Sequence, residues 1–321
     1  MNKQRHIIIS FILTSMMCLS LTCSKLSAQE NILFTNYNNN KLFINPAFSG
    51  STPYMETAMG YRKQWTGIDG APKSAILSAH APINNRPVGV GAMIYSNKIG
   101  ILNETGFFAN YAYKINMPKS RVLSLGFQAG VVNKEVRWSE VTTYDPNFTG
   151  DDPSIPNMNI SSIAPNFGLG AYYTTPKFHL GFSAPRLLQN SYPHEKSLSG
   201  NINFEFKDIY FYINSGVLLN INSEVQVAPS ILLFSSLNST TNYHFFLNFT
   251  HIKGISAGGS FRSEKYWSLN TGYEFNSKLG ISYSYDNSFD KLKRGDHTSH
   301  EIFLNYKISL KKSSYTSPRF F

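Results

Sequence analysis

Histidines near carboxylates are the residues in this sequence that could do acid–base or metal chemistry. The tightest group is His297-Thr298-Ser299-His300-Glu301, while His80, His179, His194, His244 and His251 stand apart. A zinc hydrolase sets two histidines on one helical face, as in H-E-x-x-H, and a covalent hydrolase sets a nucleophile beside a base that a third group orients. Neither pattern is present. In an extended chain His300 and Glu301 point to opposite sides and could not share a ligand. There is no phosphate loop ending in Gly-Lys-Ser or Gly-Lys-Thr, and Gly89-Val90-Gly91 lacks the strand-then-helix setting of a dinucleotide site. The expectation is a protein without catalytic residues, metal ligands or cofactor.

The elements around those histidines carry a stronger signal. From about Glu56 to Leu310, apolar side chains recur at every second position with small or polar ones between them. That period belongs to strands with one apolar face. In 121–131, Leu123, Leu125, Phe127, Ala129 and Val131 share a face, and Ser124, Gly126, Gln128 and Gly130 lie on the other; only Val122 breaks the rule. Glu274 and Lys307 sit on the polar faces and should point inward, because a lysine facing lipid at the bilayer midplane costs about 2–4 kcal/mol.

The chain opens with Lys3 and Arg5, an apolar stretch to Leu21, and Leu26-Ser27-Ala28, the order of an export signal cut after Ala28. Cys23 raises a lipoprotein reading, but Ser20, Leu21 and Thr22 make a poor lipid-attachment motif. Both cysteines, Cys18 and Cys23, fall in this leader, so the expected mature chain has no thiol. The formal charge of +10 falls to about +7 once Lys3, Arg5 and Lys25 are removed. The remaining Lys and Arg residues are scattered without the basic stripe of a nucleic-acid binder. No later stretch is long and apolar enough for a membrane helix. With 24 Phe and 19 Tyr, the chain instead suits a barrel with aromatic rims in an outer membrane.

Fifteen alternating runs are visible, near 56–63, 74–82, 88–95, 104–115, 121–131, 165–174, 178–184, 198–206, 209–218, 223–235, 240–250, 253–262, 266–275, 278–286 and 299–310. Outer-membrane barrels of one chain have an even number of strands. Lys207 and Asp208 alone separate two of the runs, and reading 204–218 as one strand leaves fourteen. With strand 1 entering from the periplasm, the external connections are then 64–73, 96–103, 133–165, 185–203, 236–239, 263–265 and 287–298. Every connection longer than about eight residues lands outside, as in known barrels. The expected architecture is all-β: a closed antiparallel transmembrane β-barrel of about 14 strands over 56–310 with a periplasmic N-terminus. It follows a signal peptide (1–28) and a periplasmic or plug-like segment (29–55), and precedes a tail (311–321). A soluble sandwich or solenoid is the rival, since alternating strands build those too.

Two stretches do not follow the wall pattern. In 34–50, Leu42-Phe43-Ile44-Asn45-Pro46-Ala47-Phe48-Ser49 either sits beneath the barrel, folds into the lumen as a partial plug, meets a partner, or is a lead-in whose aromatics pack at the rim. In 61–73, Asp69-Gly70 marks a turn, Pro72 stiffens the return and Trp65 suits an interface. This first external loop either binds a passenger protein or folds over the barrel mouth.

These same residues carry a family resemblance. Asn45-Pro46-Ala47-Phe48-Ser49-Gly50 and Tyr61-Arg62-Lys63-Gln64-Trp65 are followed by Gly67 and Asp69-Gly70-Ala71-Pro72. Gly89-Val90-Gly91, Ile281-Ser282-Tyr283-Ser284-Tyr285-Asp286 and His300-Glu301-Ile302 come next in the same order. Together they resemble the PorP/SprF-like outer-membrane proteins of the type IX secretion and gliding machinery of Bacteroidota. The ending Pro318-Arg319-Phe320-Phe321 is similar too, with Ser317 where the family often has Cys. The resemblance implies a non-enzymatic barrel at the cell outer membrane that assists export or surface retention of proteins bearing a secreted C-terminal domain. Its implied partners are type IX components, a secreted adhesin and outer-membrane lipid. The residues implied as family signature or partner contact are Asn45, Pro46, Phe48, Gly50, Arg62, Gln64, Trp65, Asp69, Gly70 and Pro72. The alternative is a passive porin or solute channel.

Overall fold

The computed structural model describes residues 34–84, 86–141, 158–193, 202–203, 206–276, 278–289 and 298–310. The expected leader and the tail 311–321 lie outside them, as do His194 and His297. Fourteen antiparallel strands form the wall: β1 (Met55–Lys63), β2 (Lys73–Ile83), β3 (Val88–Ile99), β4 (Leu102–Met117), β5 (Arg121–Val136), β6 (Ile160–Thr174) and β7 (Phe178–Ala184). They continue as β8 (Phe211–Val217, prolonged by Leu219–Asn220), β9 (Val225–Ser235), β10 (Asn242–His251), β11 (Ile255–Arg262), β12 (Tyr266–Phe275), β13 (Leu279–Ser288) and β14 (Ser299–Ile308). Each pairs with its sequence neighbour, and β1 pairs with β14 from Met55–Ile308 to Lys63–His300, so the sheet closes without an edge.

The faces are inverted relative to a soluble sandwich. Leu77, Leu125 and Leu269 point outward at 52%, 48% and 59% exposure, while Asn110, Gln128 and Glu301 point inward at 4%, 1% and 2%. A soluble fold would hide the leucines and expose the amides; an apolar belt around a polar lumen is the arrangement that lipid requires. Connections at one end never exceed four residues, and the loops 64–72, 137–159, 185–210 and 289–298 all lie at the other. We call these the turn end and the loop end.

The merged run 204–218 gives the right strand number but the wrong wall. Its strand begins only at Phe211; Phe206–Asp208 is a short 3-10 turn, and Ile202–Asn203 pairs with Gln189–Asn190 in a small hairpin apart from the barrel. Strands β4, β5 and β6 are longer than their runs of alternation suggest. Pro165, expected to end a loop, lies within β6 in a stretch paired only to β5 among the described residues. Proline is tolerated there because no ladder donor is needed on the other side. Pro229 of β9 likewise falls between the partners Phe211–Val217 and Leu219–Asn220, where the ladder is interrupted.

Candidate functional site, a plugged lumen

Residues 34–50 lie inside the barrel. Phe34 and Thr35 sit among inward side chains near the loop end, the 3-10 segment Tyr37–Phe43 descends from them, and Gly50 is near the turn end, where the chain passes into β1. Leu42, Ala47, Thr35 and Ser49 are fully buried. Two aromatic clusters join plug to wall: Phe34 with Ile76, Tyr95, Phe108 and Phe303, and Tyr37 with Tyr212, Phe234 and Phe246. Each buried aromatic contributes about 1.5–3 kcal/mol relative to exposure.

A charged cluster fixes the upper part. Arg62 of β1 pairs with Asp286 of β13 at 2.8 Å and with Glu301 of β14 at 3.5 Å, and Arg262 of β11 reaches Asp286 at 2.6 Å. Thr35 is held by all three strands that carry the core of this cluster. Its N–H donates to Glu301 (2.5 Å), its hydroxyl donates to Asp286 (2.8 Å), and the Arg62 guanidinium donates to that hydroxyl. The Asn36 N–H adds a second donor to Glu301 at 3.0 Å. Two guanidinium groups and two carboxylates balance in charge, which is what makes so buried a set tolerable.

The lower part rests on a shelf of small residues. Gly89 of β3, Ala112 of β4, Gly126 of β5, Gly170 of β6 and Ser183 of β7 are direct cross-strand partners, and so form one row across five strands on the lumen side. The segment Asn45-Pro46-Ala47-Phe48-Ser49-Gly50 lies along this row with its backbone against the wall. A Cβ on Gly126 would enter the Ala47 backbone, one on Gly170 would enter the Asn45 carboxamide, and one on Gly89 would strike the Ser49 carbonyl. Pro46 starts the 3-10 turn Pro46–Phe48, and Asn45 caps it by accepting from the Ala47 N–H at 2.9 Å while donating to the Ala171 carbonyl at 3.0 Å. Ser183 donates to the Ile44 carbonyl (2.6 Å), and Gly50 donates to His80 Nδ1 (3.3 Å) while its carbonyl accepts from Lys114. Phe48 presents its ring edge-on to His80 and Tyr172.

The other signature residues build the mouth. Gln64 N–H donates to the Pro72 carbonyl at 2.9 Å, which closes the 64–72 loop, and Thr66 N–H donates to Thr298 O at 3.0 Å. Trp65 donates its indole N–H to the Tyr266 hydroxyl (3.1 Å), and the Gly70 carbonyl accepts from Gly100 N–H of the β3–β4 turn (2.8 Å). Asp69 and Gly70 are exposed. The ten signature residues thus fall into two groups: Asn45, Pro46, Phe48, Gly50 and Arg62 belong to the plug and its anchorage, and Gln64, Trp65, Asp69, Gly70 and Pro72 to a loop folded over the mouth. The sequence reading did not single out Thr35, Arg262, Gly126, Ala112 or Gly170; Gly126 and Gly170 leave room for the plug backbone and the Asn45 side chain, and Arg262 supports the Asp286 carboxylate that holds Thr35. His300 faces outward to the Tyr283 hydroxyl while Glu301 faces the lumen.

Residues 26–306 match the family described as "Type IX secretion system membrane protein PorP/SprF". The chain belongs to the PorP/SprF family. No curated protein matches it. Among solved structures, this PorP/SprF barrel is similar to the CymD monoaromatic hydrocarbon channel (TM-score 0.51, 15% identity, 85% of this chain and 93% of that one). It is also similar to the P. putida toluene transporter TodX (TM-score 0.50, 12% identity, 85% and 94%). At such identities these likenesses speak for the outer-membrane barrel fold alone.

Proposed function

We propose that this PorP/SprF protein is a non-enzymatic outer-membrane component of the type IX secretion and gliding machinery. It assists export or surface retention of proteins that carry a secreted C-terminal domain. The observation that carries the reading is the plug: the deeply buried part of the family signature, Asn45 to Gly50 with Arg62, is spent on filling and fastening the lumen. A segment so tied to the wall narrows the bore against free diffusion, and a docking or assembly component does not need an open bore. In this reading the turn end faces the periplasm and the loop end the outside. The driving energy comes from elsewhere in the machine, and the partners are type IX components, a secreted adhesin, or both.

Purification of the intact outer-membrane complex in mild detergent, with and without crosslinking, tests this together with planar-bilayer recording. The expected result is recovery of type IX components or a C-terminal-domain protein and no stable open-pore current. Steady ohmic conductance from a barrel that brings down neither would establish the passive porin instead.

A further inference from the structure

The two ends of the barrel differ in charge. At the turn end, Arg86 lies in the β2–β3 turn, Lys119 in β4–β5, Lys177 in β6–β7, Lys253 in β10–β11 and Lys278 in β12–β13, with Arg121 the first residue of β5. All six are exposed, and none forms an ion pair among the described residues. The acids of this end do little to offset them. Glu56 and Glu274 point to the lumen side, where Glu274 is held by Lys307 at 2.7 Å. Among the described residues, Glu224 alone stands exposed in a turn, 3.6 Å from His251. At the loop end the signs are mixed: Lys98 pairs with Glu140 at 2.6 Å and Arg137 with Glu135 at 2.9 Å, while Asp69, Asp208 and Glu264 are interspersed with Lys63, Lys73 and Lys265.

The turn-end cations lie along the margin of the apolar belt. Exposed apolar side chains run to the ends of the strands here: Ile83 closes β2, Phe275 closes β12 and Leu279 opens β13. Ile252 carries the belt into the β10–β11 turn at 67% exposure. Lys253 and Lys278 are the sequence neighbours of Ile252 and Leu279, and Arg86 follows three residues after Ile83. The charges therefore begin where the belt stops, at the depth of lipid headgroups. Long basic side chains lay their stems on apolar surface and hold their charge in the polar layer, and beside a membrane they are drawn to anionic lipid. Their spread favours lipid over protein. Five of the six turns at this end carry a cation, so the charge runs round the rim instead of covering one sector. A protein docks on a patch, whereas a headgroup layer surrounds the barrel.

We propose that the turn-end rim binds the phosphate headgroups of anionic phospholipids through Arg86, Lys119, Arg121, Lys177, Lys253 and Lys278. The barrel thereby gathers anionic lipid in the leaflet at its turn end and leaves the leaflet at its loop end unselected. The inference is independent of any role in secretion, because a lipid preference holds or fails whichever proteins accompany the barrel.

The full-length barrel in vesicles of equal parts phosphatidylglycerol and phosphatidylcholine provides the test. Spin-labelled forms of the two lipids are the probes, and the share of each that the protein restricts in motion gives their relative association. Phosphatidylglycerol should be favoured by about threefold or more at about 0.1 M salt and lose most of that preference at about 1 M, where screening shortens to about 3 Å. The combined variant Arg86→Gln, Lys119→Gln, Arg121→Gln, Lys177→Gln, Lys253→Gln, Lys278→Gln should abolish the preference. Its first three and last three substitutions, made separately as milder variants, should each lower it. Lys63→Gln, Lys73→Gln and Lys265→Gln together, at the loop end, should leave it unchanged. Heat-modifiable gel mobility shows which variants are folded, and the salt series on the unaltered barrel stands without them. Equal association of the two lipids, or a preference that survives high salt, would overturn the proposal. So would an equal loss in the loop-end variant. A preference unchanged in the turn-end variants, with loss instead of an acidic protein that co-purifies with the unaltered barrel, would also overturn it, by assigning the rim to a protein interface.

Discussion

Arg62 and Asp286, 224 positions apart in sequence, meet at 2.8 Å inside the barrel and both bind Thr35 of the plug. Their strands are separated by β14, so the pair bridges three strands and a segment that belongs to none of them. Removing the arginine leaves Glu301 without its cation and Asp286 with Arg262 alone. Arg62→Met should therefore destabilise the protein by about 3 kcal/mol, the lower end for a broken buried pair. Urea titration of the barrel in micelles would show this as a lowered midpoint, together with faster proteolysis near Thr35.

The glycine shelf predicts a separation between wall and plug. Gly126→Val or Gly170→Val sets a side chain into the Ala47 backbone or the Asn45 carboxamide, an overpacking that costs about 1–3 kcal/mol. The strands themselves tolerate valine well. We expect folded barrels whose residues 34–50 become protease-sensitive and whose bilayer conductance rises. Gly280→Ala is the control: its nearest neighbour lies 3.8 Å from the added Cβ, and the plug should stay in place.

The lowered pKa of Lys41 gives a pH dependence with a definite sign. In the unfolded chain this amine titrates near its ordinary 10.5, and in the plug near 8. Between those values the unfolded state binds more protons, so the stability of the folded state rises with pH across that window. Below pH 8 the buried ammonium is charged in both states and its penalty is present in full. Unfolding midpoints at pH 7, 8 and 9.5 should increase in that order, and Lys41→Met should flatten the part of the trend that Lys41 contributes.

Leu125, outward on β5, tests the lipid face. Leu125→Arg should cost about 2–4 kcal/mol if the residue lies near the midplane. Folding yield into bilayers should fall, while yield in detergent micelles, which deform around a charge, changes less.

How much of this could be read beforehand follows from what each feature depends on. Alternation is local, so Leu123, Leu125 and Phe127 declare their face without reference to any partner. Loop lengths are equally local, and they exposed the even strand count. The 198–206 run misled for the same reason, because a short hairpin at the mouth alternates just as a wall strand does. The plug was one of several open readings of 34–50, since its side chains follow no single period: Thr35, Asn45 and Ser49 are buried beside Leu42 and Ala47.

Sequence by itself determined that this chain makes amphipathic strands, how many close the barrel, and that its signature motifs belong together in one family. Tertiary structure alone decided where those motifs meet. The row Gly89, Ala112, Gly126, Gly170 and Ser183 exists only through strand register, and a one-residue slip would turn each of these residues out toward lipid. The Arg62, Asp286, Glu301 and Thr35 cluster exists only through closure of β1 onto β14. Register and closure are set by the packing of the whole sheet, which no short stretch of sequence contains.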